Sequence, residues 1–169
     1  MPKTIQAEIR QRRPFKSLEE EAFIALLRTA DVLQWHASEM LRQHGLSPTQ
    51  YNALRILRGA ASQGLPCSEI GDRMIKRDPD ITRLLGRLAK RGLVTRRRQQ
   101  DDRRVVRAFV TRTGLAMLKG LDRPVAALNR QMLAPLGKLR LQSLILLLDL
   151  ARENASAQFG ESVEPGRRC

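Results

Sequence analysis

Between Val94 and Thr111 the chain alternates in a way that paired strands satisfy and a helix does not. Val94, Arg96 and Arg98 share one side of an outgoing run, and Val106, Ala108 and Val110 share one side of a returning run. A charged, glycine-free segment, residues 99–104, joins them, so the pattern predicts a hairpin with an exposed tip. Arg96, Arg97, Arg98, Arg103 and Arg104 crowd that tip and its flanks. Guanidiniums at this density are not built for burial. Their forked donors match phosphate oxygens and the acceptor-rich minor groove of a duplex.

Charge supports a polyanionic partner. The formal net charge is +14 over 169 residues. Residues 76–112 alone hold 13 Lys/Arg against 4 Asp, a net +9. Each phosphate neutralised by such a stretch releases counterions and adds salt-dependent affinity. A solvated surface would ordinarily mix the two signs more evenly. With 42% hydrophobic but 4% aromatic residues, the composition leans towards Leu/Ala-rich helices. The two cysteines, Cys67 and Cys169, give no disulfide framework, and no run of roughly 18 apolar residues spans a membrane. The N-terminus carries Lys3, Arg10, Arg12, Arg13 and Lys16 where a signal peptide would be apolar, so the expected address is cytoplasmic.

Away from the hairpin the chain reads as helices. Residues 1–16 lack a periodic apolar face and are expected to form a basic arm. Ser17-Leu18-Glu19-Glu20 is a capping box. Phe23, Leu26, Leu27, Ala30, Leu33, Ala37, Met40 and Leu41 then keep helical spacing for about seven turns, closed by Gly45. Residues 17–46 thus form a helix longer than a small domain needs for its own core. Ser47-Pro48-Thr49-Gln50 signals a second start, with Tyr51, Leu54, Ile56 and Leu57 on its apolar face. Residues 59–66 are a small-residue break. Ser68 is expected to start a short helix with Ile70 and Met74 inward. Asp78-Pro79 is expected to begin another, with Ile81, Leu84, Leu85 and Leu88 inward and Gly92 at its end. Two short helices across a tight basic turn make a helix-turn-helix, the second being the candidate recognition helix.

Helices followed by a basic hairpin define a winged helix-turn-helix over residues 47–111. Residues 112–155 hold two further helices. Thr111 caps the first, which carries Leu115, Leu118, Leu121, Val125, Leu128 and Met132 and is punctuated by Pro135. The second runs through Leu139, Leu141, residues 144–148 and Leu150, a cluster too wide for a single-faced surface helix. Residues 156–169 have no period and are expected to be a disordered tail. The fold class is mostly α with a small β-wing.

Three segments resemble one known family. Asp102-Arg103-Arg104, followed by Val110-Thr111-Arg112-Thr113-Gly114, is similar to the Asp-x-Arg and Leu-Thr-x-x-Gly pattern of the multiple-antibiotic-resistance regulator (MarR-type) family of transcription factors. The run from Leu88-Ala89-Lys90-Arg91-Gly92 to Leu93-Val94-Thr95-Arg96 resembles that family's helix-to-wing junction. Leu46-Ser47-Pro48-Thr49-Gln50-Tyr51 resembles the start of its second helix. The three occur in order, and the resemblance covers roughly residues 17–155. It implies a homodimer in which the first helix and the last two helices interlock as dimerisation helices. Two recognition helices would then meet successive major grooves of a pseudo-palindromic operator, with half-sites about 10 bp apart.

The resemblance gives Arg104 the role of the wing-tip arginine in the minor groove and Asp102 that of the acid orienting it; an arginine lying over a phosphate is the alternative. Arg96, Arg97, Arg98 and Arg103 are expected on phosphates, holding register. On the recognition helix Pro79, Asp80, Thr82, Arg83 and Arg87 lie off the apolar face. Thr82 and Arg83 are the candidates for base edges, since arginine bridges the two acceptors of guanine. Asp80 either accepts from a cytosine amine or stabilises the helix dipole. Ser68 either donates to a phosphate or caps its helix. The Asp78-Pro79-Asp80 start departs from the Ser/Thr-rich start common in the family.

Family members respond to small phenolic or lipophilic ligands, to oxidants, or to zinc. Trp35, His36, Met40, His44 and Tyr51 are the candidates for lining a ligand cleft, although Met40 and Tyr51 also fit core faces. The peroxide-sensing branch uses a cysteine near the start of the first helix, and this chain has none there. Cys67 beside a helix start is read as an ordinary small cysteine, and His36 and His44 are too few for zinc. No nucleophile–base pair, phosphate loop or clustered metal ligands mark an enzyme, and no cofactor is expected. The expected function is a ligand-relieved repressor; the alternative is a non-specific, architectural DNA-binding protein.

Overall fold

The computed structural model describes residues 3–76, 80–99 and 105–159. Pro79, Asp102, Arg103, Arg104 and Cys169, singled out above, lie outside the described residues. The chain divides into two units, Met1–Gly45 and Leu46–Cys169.

The first unit holds α1 (Ile5–Glu8) and α2 (Leu18–Gln43). α1 forms inside the expected arm because Thr4 Oγ1 accepts from Ala7 N at 3.3 Å and Arg28 Nε of α2 donates to Glu8 Oε1 at 2.8 Å. That long-range pair is invisible to local periodicity. Ser17 caps α2 by accepting from Glu20 N at 3.2 Å. Glu20 reaches back to Lys16 N at 2.7 Å, closing the box one residue earlier than the sequence pattern predicts.

The second unit opens with α3 (Pro48–Gly59), where Ser47 and Gln50 form a complete reciprocal capping box. One turn of 3-10 helix at Ala61–Gln63 leads to β1 (Leu65–Pro66), α4 (Cys67–Asp72) and α5 (Ile81–Lys90). The hairpin follows as β2 (Val94–Arg98) and β3 (Val106–Val110), then α6 (Arg112–Leu133) and α7 (Gly137–Phe159). Pro135 sits in a 3-10 turn between the last two helices. α7 continues to Phe159, past the expected end at residue 155, because its last turns keep helix-forming Ala, Glu and Gln. Gly45 and Gly92 take φ of 68° and 69° just past α2 and α5, the left-handed turn that glycine adopts without strain.

The sheet is antiparallel with order β1-β3-β2. β1 was not expected: residues 59–66 read as a break, since two strand residues carry no period. Leu65 pairs with Ala108 and Pro66 with Arg107. Around this sheet the core is closed by Leu54 and Leu57 of α3, Ile70 of α4, Leu84, Leu85 and Leu88 of α5, Leu93, Val94, Ala108, and Leu118 and Leu121 of α6. It fixes α5 against β2 and so sets the recognition helix beside the wing.

Candidate nucleic-acid interface

α5 is strongly two-sided. Its inward leucines are buried, while Arg83, Arg87 and Lys90 are exposed and Thr82 and Gly86 are half-buried. Arg83, Arg87 and Lys90 recur at steps of four and three, giving one basic row. The helix begins at Ile81, not at Asp78-Pro79, because Asp80 is the capping residue: its Oδ1 accepts from Arg83 N at 2.9 Å. The carboxylate therefore serves the helix start, one of the two roles foreseen for it. Ser68 does not cap α4. Pro66 holds that position without a side-chain capping bond, and Ser68 is an exposed second residue of the helix.

The wing pairs in the register its alternation predicts: Val94 with Val110, Arg96 with Ala108, Arg98 with Val106. Gln99 N donates to Val105 O at 3.0 Å, extending the ladder towards the tip. β2 is an edge strand, and its arginines divide by face. Arg96 and Arg98 share the side of Val94, which packs on α5. Arg97 points the other way, its guanidinium carbon 5.7 Å from the centre of the Phe109 ring. Opposite Arg97 stands Arg107, whose Nε and Nη2 donate at 3.2 Å to the carbonyls of Gln63 and Gly64. Arg107 thus ties the sheet to the turn before β1. Sequence reasoning missed it, because nothing local distinguishes this arginine from its neighbours.

The root of the wing is a latch. Thr111 N donates to Leu93 O at 3.0 Å, its Oγ1 donates to Gly92 O at 2.7 Å, and the same oxygen accepts from Gly114 N at 3.0 Å. Gly114 is buried against this junction. A Cβ there would collide with the Leu93 carbonyl oxygen and stand 2.8 Å from Val110 Cγ2. The Thr-x-x-Gly spacing therefore has a mechanical cause, holding the start of α6 against the helix-to-wing turn.

Of the ligand candidates, Trp35 and His36 meet edge to face at 4.8 Å on α2, and both are exposed. Met40 is half-buried, and His44 is the C-terminal cap of α2. Tyr51 belongs to the second unit, with Arg55 lying over its ring at 5.9 Å. A groove of about 370 Å³ lies between α1 and α2, lined by residues including Lys3, Ile5, Arg28 and Val32, and it includes none of the five. Cys67 is buried, and its Sγ donates to Val106 O at 3.4 Å. Among the described residues no three His, Cys, Asp or Glu side chains gather to hold a metal ion, and no helix is long and apolar enough to cross a membrane.

Helix-turn-helix, basic row and adjoining arginine-bearing hairpin together define a winged helix-turn-helix regulator. Comparison with known proteins narrows the class. A MarR family profile matches residues 44–105. A MarR transcription factor from Planctomyces limnophilus has the same fold, with 42% identity, a TM-score of 0.64, and coverage of 81% of this chain and 99% of that one. The Bacillus subtilis HTH-type transcriptional regulator MhqR is 29% identical over 69% of this chain and 79% of its own length. The Escherichia coli homoprotocatechuate degradative operon repressor is 26% identical over 75% of this chain and 84% of its own. The chain belongs to the MarR family of DNA-binding transcriptional regulators.

Proposed function

We propose that the protein is a homodimeric, sequence-specific repressor whose hold on a pseudo-palindromic operator is relieved by a small phenolic or lipophilic ligand. The observation that carries this reading is the exposed row Arg83, Arg87 and Lys90 beside the arginine-bearing edge strand β2. α5 enters the major groove with Thr82 and Arg83 towards base edges. Arg87, Arg98 and Arg103 hold phosphates, and Arg104, oriented by Asp102, enters the minor groove. Dimerisation is supported by apolar side chains left exposed on α2 and α7, among them Phe23, Leu26, Leu27, Leu139 and Leu147. The name of the E. coli relative supports repression as the sign, and makes aromatic acids and phenols the first effectors to test. The exposed Trp35–His36 pair on α2 is the proposed aromatic contact for such a ligand. In this reading the protein does no covalent chemistry, needs no cofactor and works in the cytoplasm.

Selection of bound duplexes from a random pool tests it, followed by anisotropy titration at two salt concentrations for wild type and Arg104→Ala. The expected result is a pseudo-palindrome bound by a dimer at least ~10³-fold more tightly than random duplex, and weakened in the variant. Equal affinity for every duplex, with only salt sensitivity left, would overturn the reading and leave an architectural protein.

A further inference from the structure

Gly86 occupies the middle of the outward face of α5, with Thr82, Arg83 and Lys90 around it. A glycine there weakens the helix relative to alanine. Packing does not demand it. A Cβ at this position would meet one atom, Arg96 Nη1, at 3.8 Å, an ordinary contact with the far end of a flexible side chain. What the missing side chain does is leave the helix surface bare where a guanidinium from the wing lies against it.

Arg96 reaches that place because it stands on the α5 side of β2, two residues beyond buried Val94. No carboxylate among the described residues pairs with it. Its neighbour Arg97 faces away and is drawn over Phe109. Two adjacent arginines that look equivalent in sequence therefore have different surroundings. One lies on the recognition helix; the other is held on the reverse of the sheet.

We propose that Arg96 is a specificity-determining residue: laid across Gly86, it enters the major groove beside Arg83 and reads the paired acceptors of a guanine, while Phe109 withholds Arg97 from the duplex. This rests on the reading of the chain as a sequence-specific regulator and adds a base contact where a phosphate contact was expected. Arginine at this reach bridges guanine O6 and N7, whereas lysine supplies charge without the planar fork. A carboxylate at position 86 would capture the guanidinium and remove it from the groove.

The test repeats the selection with the full-length wild type, Arg96→Ala, Arg96→Lys, Arg97→Ala and Gly86→Asp, then titrates each against the wild-type operator and a random duplex. Arg96→Ala is expected to lose ~10–100-fold on the operator and much less on random duplex, with guanine preference relaxed at one symmetry-related pair of positions. Arg96→Lys and Gly86→Asp relax the same pair, and Arg96→Lys keeps its affinity for random duplex, which shows that the variant is folded. Arg97→Ala leaves every position as selective as before. An equal loss on both duplexes in Arg96→Ala, with a salt slope smaller by about 1, would make Arg96 a phosphate contact and overturn the proposal while the regulator reading stands. Relaxed selectivity in Arg97→Ala would overturn it too. A wild type that selects no site overturns the regulator reading itself, and the proposal with it.

Discussion

The winged lobe and the flanking helices use the same residue types to opposite ends. In α5, Leu84, Leu85 and Leu88 are at most 1% exposed. In α7, Leu139 is 79% and Leu147 62% exposed, and Phe23 on α2 is 61% exposed. Helix propensity does not separate these elements, since leucine is a good helix former in all of them. What differs is cover. The lobe brings α3, α4 and the sheet around α5, with α6 packed on α3, and closes its own core. The flanking helices carry apolar area that water penalises at about 25 cal/mol per Å², and in the proposed dimer a second copy removes it. Reading surface and dimer surface are therefore stabilised by different things, one by its own fold and the other by mass action.

The largest effect that could break this contrast is in the lobe. Leu88→Ala is expected to cost about 2–5 kcal/mol in chemical unfolding, because a fully enclosed site cannot collapse around the cavity. Leu147→Ala, on an exposed face, should leave the stability of dilute monomer nearly unchanged; a comparable loss there would erase the distinction. Next comes Gly114→Ala, expected to destabilise by about 1–3 kcal/mol, because the new Cβ meets the backbone of Leu93 and the backbone yields poorly. Its heat denaturation should shift at every protein concentration. Leu147→Asp should behave the other way round. It should raise the dimer dissociation constant at least ~10-fold in sedimentation equilibrium and leave the unfolding of the lobe in place.

These differences also mark what was legible in the sequence. Local signals carried far: the Ser47–Gln50 box, the Thr111 cap and the alternation that sets the wing register all act within a few residues. Signals failed where a distant segment decides. β1 exists because β3 is there to pair with it, and α1 because Arg28 of α2 holds Glu8. α5 starts at Ile81 because Asp80 caps it, and in the sequence Asp78 carries the same acidic cap signal two residues earlier. Alternation along β2 separates Arg96 and Arg98 from Arg97 but does not say what each face meets. That is set by Phe109 and the carbonyls of Gln63 and Gly64, contributed by other parts of the sheet and the turn before it. Gly86 carries no sequence signal, because a bare helix surface leaves no pattern.

Gly86 also sharpens the contrast from inside the lobe. If packing placed the glycine there, replacing it should destabilise; if the glycine serves Arg96, alanine should help the fold. Gly86→Ala is expected to raise stability by about 0.5–1 kcal/mol, since alanine fits the space and loses less backbone entropy on folding. A lower denaturation midpoint in that variant would return Gly86 to the core.

The smallest expected effect belongs to α2, where charges on the helix surface add little. The Glu39 carboxylate is held below its ordinary value of 4.5, first by the hydrogen bond from Arg42 and then by that guanidinium's charge. A depressed carboxylate binds fewer protons folded than unfolded, so its contribution is present above the ordinary glutamate value and fades as pH falls through the lowered one. Both partners are exposed, and solvent screens the pair. Glu39→Gln should therefore lower the melting temperature slightly near neutrality, and the difference from wild type should shrink as pH falls below 4.5. Asp122 offers the matched comparison inside the second unit, because Arg58 Nη1 of α3 reaches both of its oxygens at 2.9 and 3.0 Å from across the fold. Asp122→Asn joins two helices less firmly, and Glu39→Gln alters only one turn of one helix. A neutral-pH loss that is larger for Asp122→Asn would show that surface charge matters here only where it links elements the core has already brought together.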